Sequence, residues 1–200
     1  MAALAIGKPY PEATASVKLD EAYLKSLTGV YDFEDEVTRF ITLENGQLYS
    51  QRTGGSKFKI FARDKSNFFF EGVISALEFT SDKSGVTGVL FKDRRDIIKG
   101  TKTNKPIPVH VEMGVPVDIL NTYAGVYEIQ PGFNLTITVE DGHLKSQATG
   151  QEKFELFAES PAKFFLKVVD AQVEFVKGED GKVNSLFLYQ GGRKIEGKRK

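Results

Sequence analysis

Two Ser-x-x-Lys segments are the places in this chain where residue type and spacing could support nucleophilic catalysis. In a helix this spacing sets a serine one turn from the lysine that activates it, and the chain contains Ser56–Lys59 and Ser160–Lys163. The first falls in a predicted strand, where positions three apart point to opposite faces. The second contains Pro161 in a predicted loop. No Lys-Thr-Gly segment accompanies them, so we predict no catalytic residues and no enzyme activity.

Metal-binding and redox side chains are also few. Cysteine is absent, which excludes disulfides, thiol catalysis and Cys-ligated zinc. His110 and His143 are the two histidines and lie far apart, which excludes a histidine-rich metal site. Asp32 and Glu34–Glu36 form an acidic cluster that suits either a carboxylate calcium site or a solvated loop. The loop is favoured because the second copy described below keeps one of these carboxylates. We expect no metal and no cofactor.

Charge and composition exclude two further classes of protein. The 200 residues hold 27 basic and 27 acidic side chains, for a formal net charge of zero. Because phosphate binding needs an excess of Lys and Arg, a general nucleic-acid binder is not expected. No apolar run approaches the ~18–20 residues of a transmembrane helix. An apolar content of 40% with 12% aromatic residues predicts a packed core.

The chain is an internal duplication. Sliding the sequence by 96 positions gives 25 identities over the 68 positions 24–91. Chance would give an identity at about one position in twenty. The lead-in segments are also similar, with a small insertion: Val17–Asp20 resembles Val115–Asp118. The gapless match extends from Gly29-Val30-Tyr31 on Gly125-Val126-Tyr127 to Leu90-Phe91 on Leu186-Phe187. We therefore predict an extended leader 1–17, a first domain 18–102, a Pro-rich linker 103–117 and a second domain 118–200.

Each copy is predicted to be all-β after one short helix. Asp20 is a good N-cap for a helix ending before Gly29, and Asp118 takes that place in the second copy. Asn45-Gly46 and Asp141-Gly142 are typical of two-residue hairpins. Eight short strands joined by such turns favour an up-and-down antiparallel barrel in each copy, which leaves no open sheet edge. The strands predicted in the first copy are about 28–33, 37–44, 47–53, 57–63, 67–73, 75–81, 86–92 and 95–101.

The duplication also shows which side chains were kept in both copies. All 16 Phe lie inside the two domains, so we expect the small barrel interiors to be mostly filled. Polar residues identical in both copies serve either the barrel architecture, which is favoured, or ligand contact. As candidate ligand-binding residues we take Tyr31, Gln51, Tyr127 and Gln147.

A family resemblance rests on Leu24–Tyr31, Ile41–Gln51 and their copies at 120–128 and 142–151. These segments resemble the lipocalin-like domain found C-terminal to serine beta-lactamase-like hydrolases of the D-aminopeptidase and self-compartmentalising peptidase type. The resemblance covers about 160 of the 200 residues, and residues 5–11 resemble the linker to such a hydrolase. It implies two tandem eight-stranded lipocalin-like barrels that act as an accessory module in docking or substrate gating, with a serine hydrolase domain, fused or separate, as partner.

The same resemblance bears on compartment and on an alternative function. It implies a periplasmic or secreted protein, although Met1–Gly7 has no basic region and too short an apolar core for a signal peptide. The hydrolase domain itself is not present in this chain, so no catalytic residue is carried over from the family. The alternative is a stand-alone lipocalin-like carrier of a small apolar ligand.

Overall fold

The computed structural model describes residues 16–200, so most of the predicted leader 1–17 lies outside the described residues. The chain divides into two compact units, of which the second also takes in residues 51–57. The first copy of the repeat begins with helix α1, Glu21–Leu27. Its strands are β1 Gly29–Phe33, β2 Thr38–Glu44, β3 Gln47–Arg52, β4 Lys57–Ala62, β5 Asn67–Phe70, β6 Ala76–Asp82, β7 Gly85–Lys92 and β8 Ile97–Thr103. All eight predicted strands of this copy are confirmed, with ends that differ by up to three residues.

The second copy repeats this order of elements. It begins with helix α2, Val117–Tyr123. Its strands are β9 Gly125–Gln130, β10 Phe133–Glu140, β11 His143–Ala148, β12 Lys153–Ala158, β13 Lys163–Phe165, β14 Ala171–Lys177, β15 Val183–Gln190 and β16 Arg193–Arg199. Both helices have seven residues, and within 16–200 no helix is long and apolar enough to cross a membrane.

Each set of eight strands forms a closed barrel in which sequence neighbours pair. The first, barrel 1, is closed by antiparallel pairing of β1 with β8, where Val30 lies opposite Thr103. The second, barrel 2, is closed by β9 with β16, where Glu128 lies opposite Lys198. The prediction of two tandem all-β barrels, each preceded by a short helix, is confirmed. The predicted domain limits remain a proposal.

The tight hairpin turns follow the local sequence. Asn45-Gly46 and Asp141-Gly142 have positive φ at both residues, 49° and 78° in the first turn and 52° and 79° in the second. This conformation matches the strand twist and costs glycine little. The Asp141-Gly142 turn sets the pairing of β10 with β11, in which Ile137 lies opposite Ser146.

The gapless match between the copies ends at the turn before β7, which corrects the sequence alignment. Phe79 pairs with Val89 in barrel 1, and its counterpart Phe175 pairs with Leu186 in barrel 2. The structural offset is therefore 97 and not 96 beyond this point, because the turn before β15 is one residue longer. Phe91 corresponds to Leu188, and the Leu-Phe pair present in both copies was aligned one residue out of register.

The start of α2 also differs from the prediction. Asp20 caps α1 as expected, its Oδ1 accepting the backbone N–H of Ala22 at 2.8 Å. The residue at the same place in the second copy is Pro116, which makes no side-chain cap bond, whereas Asp118 lies within the first helical turn. The offset of 96 thus continues through the helices, and the predicted match of Val17–Asp20 with Val115–Asp118 is two residues out of register.

One end of each barrel is packed with apolar side chains from its helix. Leu27 of α1 is fully buried in the core of barrel 1. Leu120 and Tyr123 of α2 join the core of barrel 2, where the Tyr123 and Phe175 rings stack 4.2 Å apart. At this end of barrel 2, Phe164 and Phe175 both pack against the Tyr123 ring. The opposite end of barrel 2 is not filled, as described below.

Candidate functional site

The two candidate tyrosines lie inside the barrels and bind the helices. Tyr31 and Tyr127 have no exposed surface. The Tyr31 hydroxyl donates to the carbonyl of Leu27 at 2.6 Å, and that of Tyr127 donates to the carbonyl of Tyr123 at 2.8 Å. Burial raises the pKa of Tyr31 and raises that of Tyr127 to about 12, because the phenolate would lose its hydration. Each tyrosine therefore holds the C-terminal carbonyl of its helix.

The two candidate glutamines are hydrogen-bonded within their own turns. The Gln51 side-chain amide donates to the carbonyl of Gly55 at 3.2 Å, and the Gln147 amide donates to that of Gln151 at 3.1 Å. These bonds satisfy carbonyls in the turns that follow β3 and β11. A role of Tyr31, Gln51, Tyr127 and Gln147 in ligand binding stays a prediction, and the structure does not bring the four side chains together within either barrel.

Neither Ser-x-x-Lys segment lies on a helix. Ser56 precedes β4, and Lys59 lies within that strand, both exposed. The Ser160 hydroxyl accepts the backbone N–H of Lys163 at 3.0 Å and so closes a turn. The Lys163 ammonium lies 3.5 Å from the Glu159 carboxylate and over the ring of Tyr189. The lysine is held by these groups and not by the serine.

His110 and Asp32 are engaged in side-chain pairs. The His110 ring stacks on Phe165 at 4.5 Å, and its Nδ1 lies 3.1 Å from Glu159. Asp32 accepts from Lys105 at 2.6 Å and from Thr38 at 2.9 Å, and these bonds hold the pKa of its carboxyl below the usual range. Across residues 16–200, no group of three or more His, Asp and Glu is arranged to hold a metal ion.

A cavity of about 510 Å³ occupies the end of barrel 2 that lies away from α2. The turns after β9, β11 and β15 and the loop after β13 surround this end. Most of its lining is aliphatic or aromatic, including Ile129, Leu135, Ala148, Phe154, Leu166, Val173 and Leu188. Its polar lining consists of Ser56, Ser146, Gln151, Glu152 and Gln190. The expected filling of the barrel interior does not extend to this end, although Phe133 and Phe154 line it.

The equivalent end of barrel 1 is occupied by its own side chains. Arg39, at the position of Leu135, lies with its guanidinium 4.3 Å from the centre of the Phe91 ring and 5.6 Å from that of Phe33. Its Nη1 is 3.5 Å from the hydroxyl of Ser50. A cation stacked on two aromatic faces is a favourable way to cover such an end.

An exposed apolar row precedes α2. In the segment before the helix, His110 and Glu112 contact barrel 2, the latter through Lys167 at 2.5 Å. The alternate residues face outward: Val109, Val111 and Met113 are 79%, 74% and 44% exposed. The backbone is fixed there, because the Met113 N–H donates to the carbonyl of Ala158 at 2.9 Å. Residues 109–113 were predicted only as part of a Pro-rich linker, although their alternation of apolar and polar residues is a signal that could have identified this row.

Comparison with known proteins identifies a family model and a relative. Residues 110–199 match a family model. It is described as Domain of unknown function (DUF3471). The DUF3471 match begins within the outward-facing row and ends with β16, so it takes in every residue that lines the cavity except Ser56. The chain is also 37% identical over 78 residues to Penicillin-binding protein 4* of Bacillus subtilis (strain 168), an alignment that covers 39% of this chain and 17% of that protein. These matches confirm the family resemblance seen in the sequence.

Proposed function

We propose that this protein is a non-catalytic accessory module that docks onto a serine beta-lactamase-like hydrolase through the apolar row Val109, Val111 and Met113. The match to Penicillin-binding protein 4* supports this, because the chain spans 17% of that protein's length, as a shared module of a larger protein would. The Ser-x-x-Lys segments support the absence of catalysis, since Lys163 is held by Glu159 away from a nucleophile role.

The apolar row is the observation that carries the docking proposal. Exposed valines occur singly on many surfaces, but a fixed row of three on one side of an extended segment is typical of a contact surface. Complete burial of a valine contributes roughly 1.5 kcal/mol. Val109 and Val111, both about three-quarters exposed, would together contribute about 2 kcal/mol, or roughly thirtyfold in affinity.

Gating of substrate entry is the finer form of this proposal. A rigid barrel held beside a catalytic cleft restricts the size of the substrates that reach it. Docking would then change the preference of the hydrolase between short and long substrates, whereas a purely structural contact would leave that preference unchanged.

Capture with an active-site label tests the proposal. The immobilised chain is incubated with extract of the source organism, and the retained proteins are treated with a fluorescent penicillin. We expect a penicillin-labelled protein to be retained, and retention to fall at least about tenfold with Val109→Ser/Val111→Ser. Val73→Ser, which changes an exposed valine of barrel 1, is the matched control.

Activity of the chain itself provides the opposing outcome. We expect no turnover of a chromogenic beta-lactam or of a D-alanine anilide by the purified chain. Turnover that survives purification and is lost with Ser56→Ala or Ser160→Ala would show that the module is an enzyme. Retention without any penicillin-reactive protein would contradict the choice of partner.

A further inference from the structure

The two barrels differ in the size of the side chains at the end away from the helix. Five buried or half-buried positions carry a larger residue in barrel 1 than in barrel 2, by the structural alignment of the strands. The pairs are Arg39 and Leu135, Phe33 and Ile129, Phe70 and Leu166, Leu77 and Val173, and Phe91 and Leu188. The cavity of barrel 2 is thus the space that larger side chains fill in barrel 1.

Ser146 supplies a polar group within this cavity. The residue is 4% exposed and lines the cavity. The equivalent Ser50 lies within 3.5 Å of the Arg39 guanidinium. A hydroxyl that lines an apolar cavity can donate a hydrogen bond to, or accept one from, a molecule bound there. On either side of Ser146 in the sheet lie Ile137 and Phe154, so its surroundings are apolar.

The charges around the cavity restrict what it can hold. Glu152 is the one charged residue among the described side chains that line it. An anionic molecule would meet this carboxylate and would lose its hydration without a basic partner. The volume of about 510 Å³ is within the range of small-molecule sites, roughly 300–1,000 Å³.

We propose that the open end of barrel 2 binds one uncharged, largely apolar small molecule, with a polar group of that molecule hydrogen-bonded to Ser146. At the equivalent end of barrel 1, Arg39 and its aromatic neighbours occupy this space. This site is independent of the docking row, and either proposal stands if the other fails.

A matched pair of fluorescent probes tests the ligand class. Phenylnaphthylamine and anilinonaphthalene sulfonate share one aromatic skeleton, and the second adds a sulfonate. We expect one phenylnaphthylamine per chain, bound at least about tenfold more tightly than the sulfonate, because the anion must be buried near Glu152. Equal affinity for the two probes, or no saturable binding of the uncharged one, would overturn the proposal.

Variants that copy barrel 1 into barrel 2 locate the site. We expect Leu135→Arg to weaken binding of phenylnaphthylamine at least about tenfold, by placing a guanidinium in the cavity. The double change Leu166→Phe/Leu188→Phe fills the cavity with the side chains of barrel 1, so it should abolish binding without lowering Tm. This second variant separates loss of the site from loss of the fold.

The role of Ser146 has its own control in the other barrel. Loss of one hydrogen bond predicts binding about fivefold weaker with Ser146→Ala, whereas Ser50→Ala should leave the affinity unchanged. Unchanged affinity with Ser146→Ala, or equal weakening with both changes, would remove Ser146 from the site. Binding that persists in the Leu166→Phe/Leu188→Phe variant would place the probe elsewhere.

Discussion

Replacing Tyr127 by Phe removes one hydroxyl from the centre of barrel 2. That hydroxyl donates at 2.8 Å to the carbonyl of Tyr123, the last residue of α2. The ring stays in contact with Phe175, 5.9 Å away, so packing is kept. The carbonyl loses this donor, and we expect unfolding free energy at pH 7 to fall by about 1–2 kcal/mol.

The effect has a defined pH dependence. The pKa of Tyr127 rises from 10.0 to about 12 in the folded protein. The unfolded chain therefore ionises first, and the contribution of the Tyr127 hydroxyl is complete below pH 10 and is lost as pH rises through 12. This loss amounts to about 2 kcal/mol by pH 12. Tyr127→Phe lacks this ionisable hydroxyl, so the stability advantage of the wild type over the variant shrinks as pH rises and then reverses in alkali.

Urea unfolding at a series of pH values, followed by circular dichroism, measures this difference. Tyrosinate absorbance, compared between the wild type and Tyr127→Phe, reports the ionisation directly. Tyr31→Phe is the matched change in barrel 1, since its hydroxyl binds Leu27 in the same way. A stability difference that is constant between pH 9 and 12, or a Tyr127 that ionises near pH 10, would refute this account.

Three further predictions concern turns, caps and charge. Asp20→Ala should lower stability by about 1 kcal/mol in urea unfolding, because two N–H groups lose their acceptor, and Asp118→Ala, which removes no cap bond, should cost less than half as much. Gly46→Ala should destabilise the protein by about 1–2 kcal/mol, since the φ of Gly46 is 78°. Gly114→Ala should be neutral or stabilising, because φ is not positive there and the added carbon meets open space. Equal effects of the two changes would contradict the turn assignment. Lys105→Met should raise the pKa of Asp32 in a carboxyl NMR titration, because the Lys105 hydrogen bond that lowers it is removed, and an unchanged pKa would mean that this ion pair does not form in solution.

Local chemistry explains why most strands could be predicted. Asn45-Gly46 and Asp141-Gly142 specify hairpins without help from the rest of the fold, and Asp20 specifies the start of α1. The end of β5 was predicted three residues late, at 73, because Val73 and Ile74 are apolar yet exposed. An apolar run alone does not show where pairing ends.

The register of β15 could not be obtained from sequence similarity. Leu90-Phe91 and Leu186-Phe187 are identical pairs, yet the longer turn before β15 moves the second pair by one residue and so to the other face of the sheet. The cavity depends on this shift, because it brings Leu188 and not Phe187 to the position of Phe91. Identity between the copies selected Tyr31 and Tyr127, but it did not show that their hydroxyls hold the helices.

Docking of the row Val109, Val111 and Met113 onto a serine hydrolase can be measured directly in solution. Titration calorimetry of the chain against the penicillin-reactive protein it retains measures this contact. We expect saturable binding that weakens roughly thirtyfold with Val109→Ser/Val111→Ser and stays unchanged with Val73→Ser. Equal affinity for all three chains would contradict this docking.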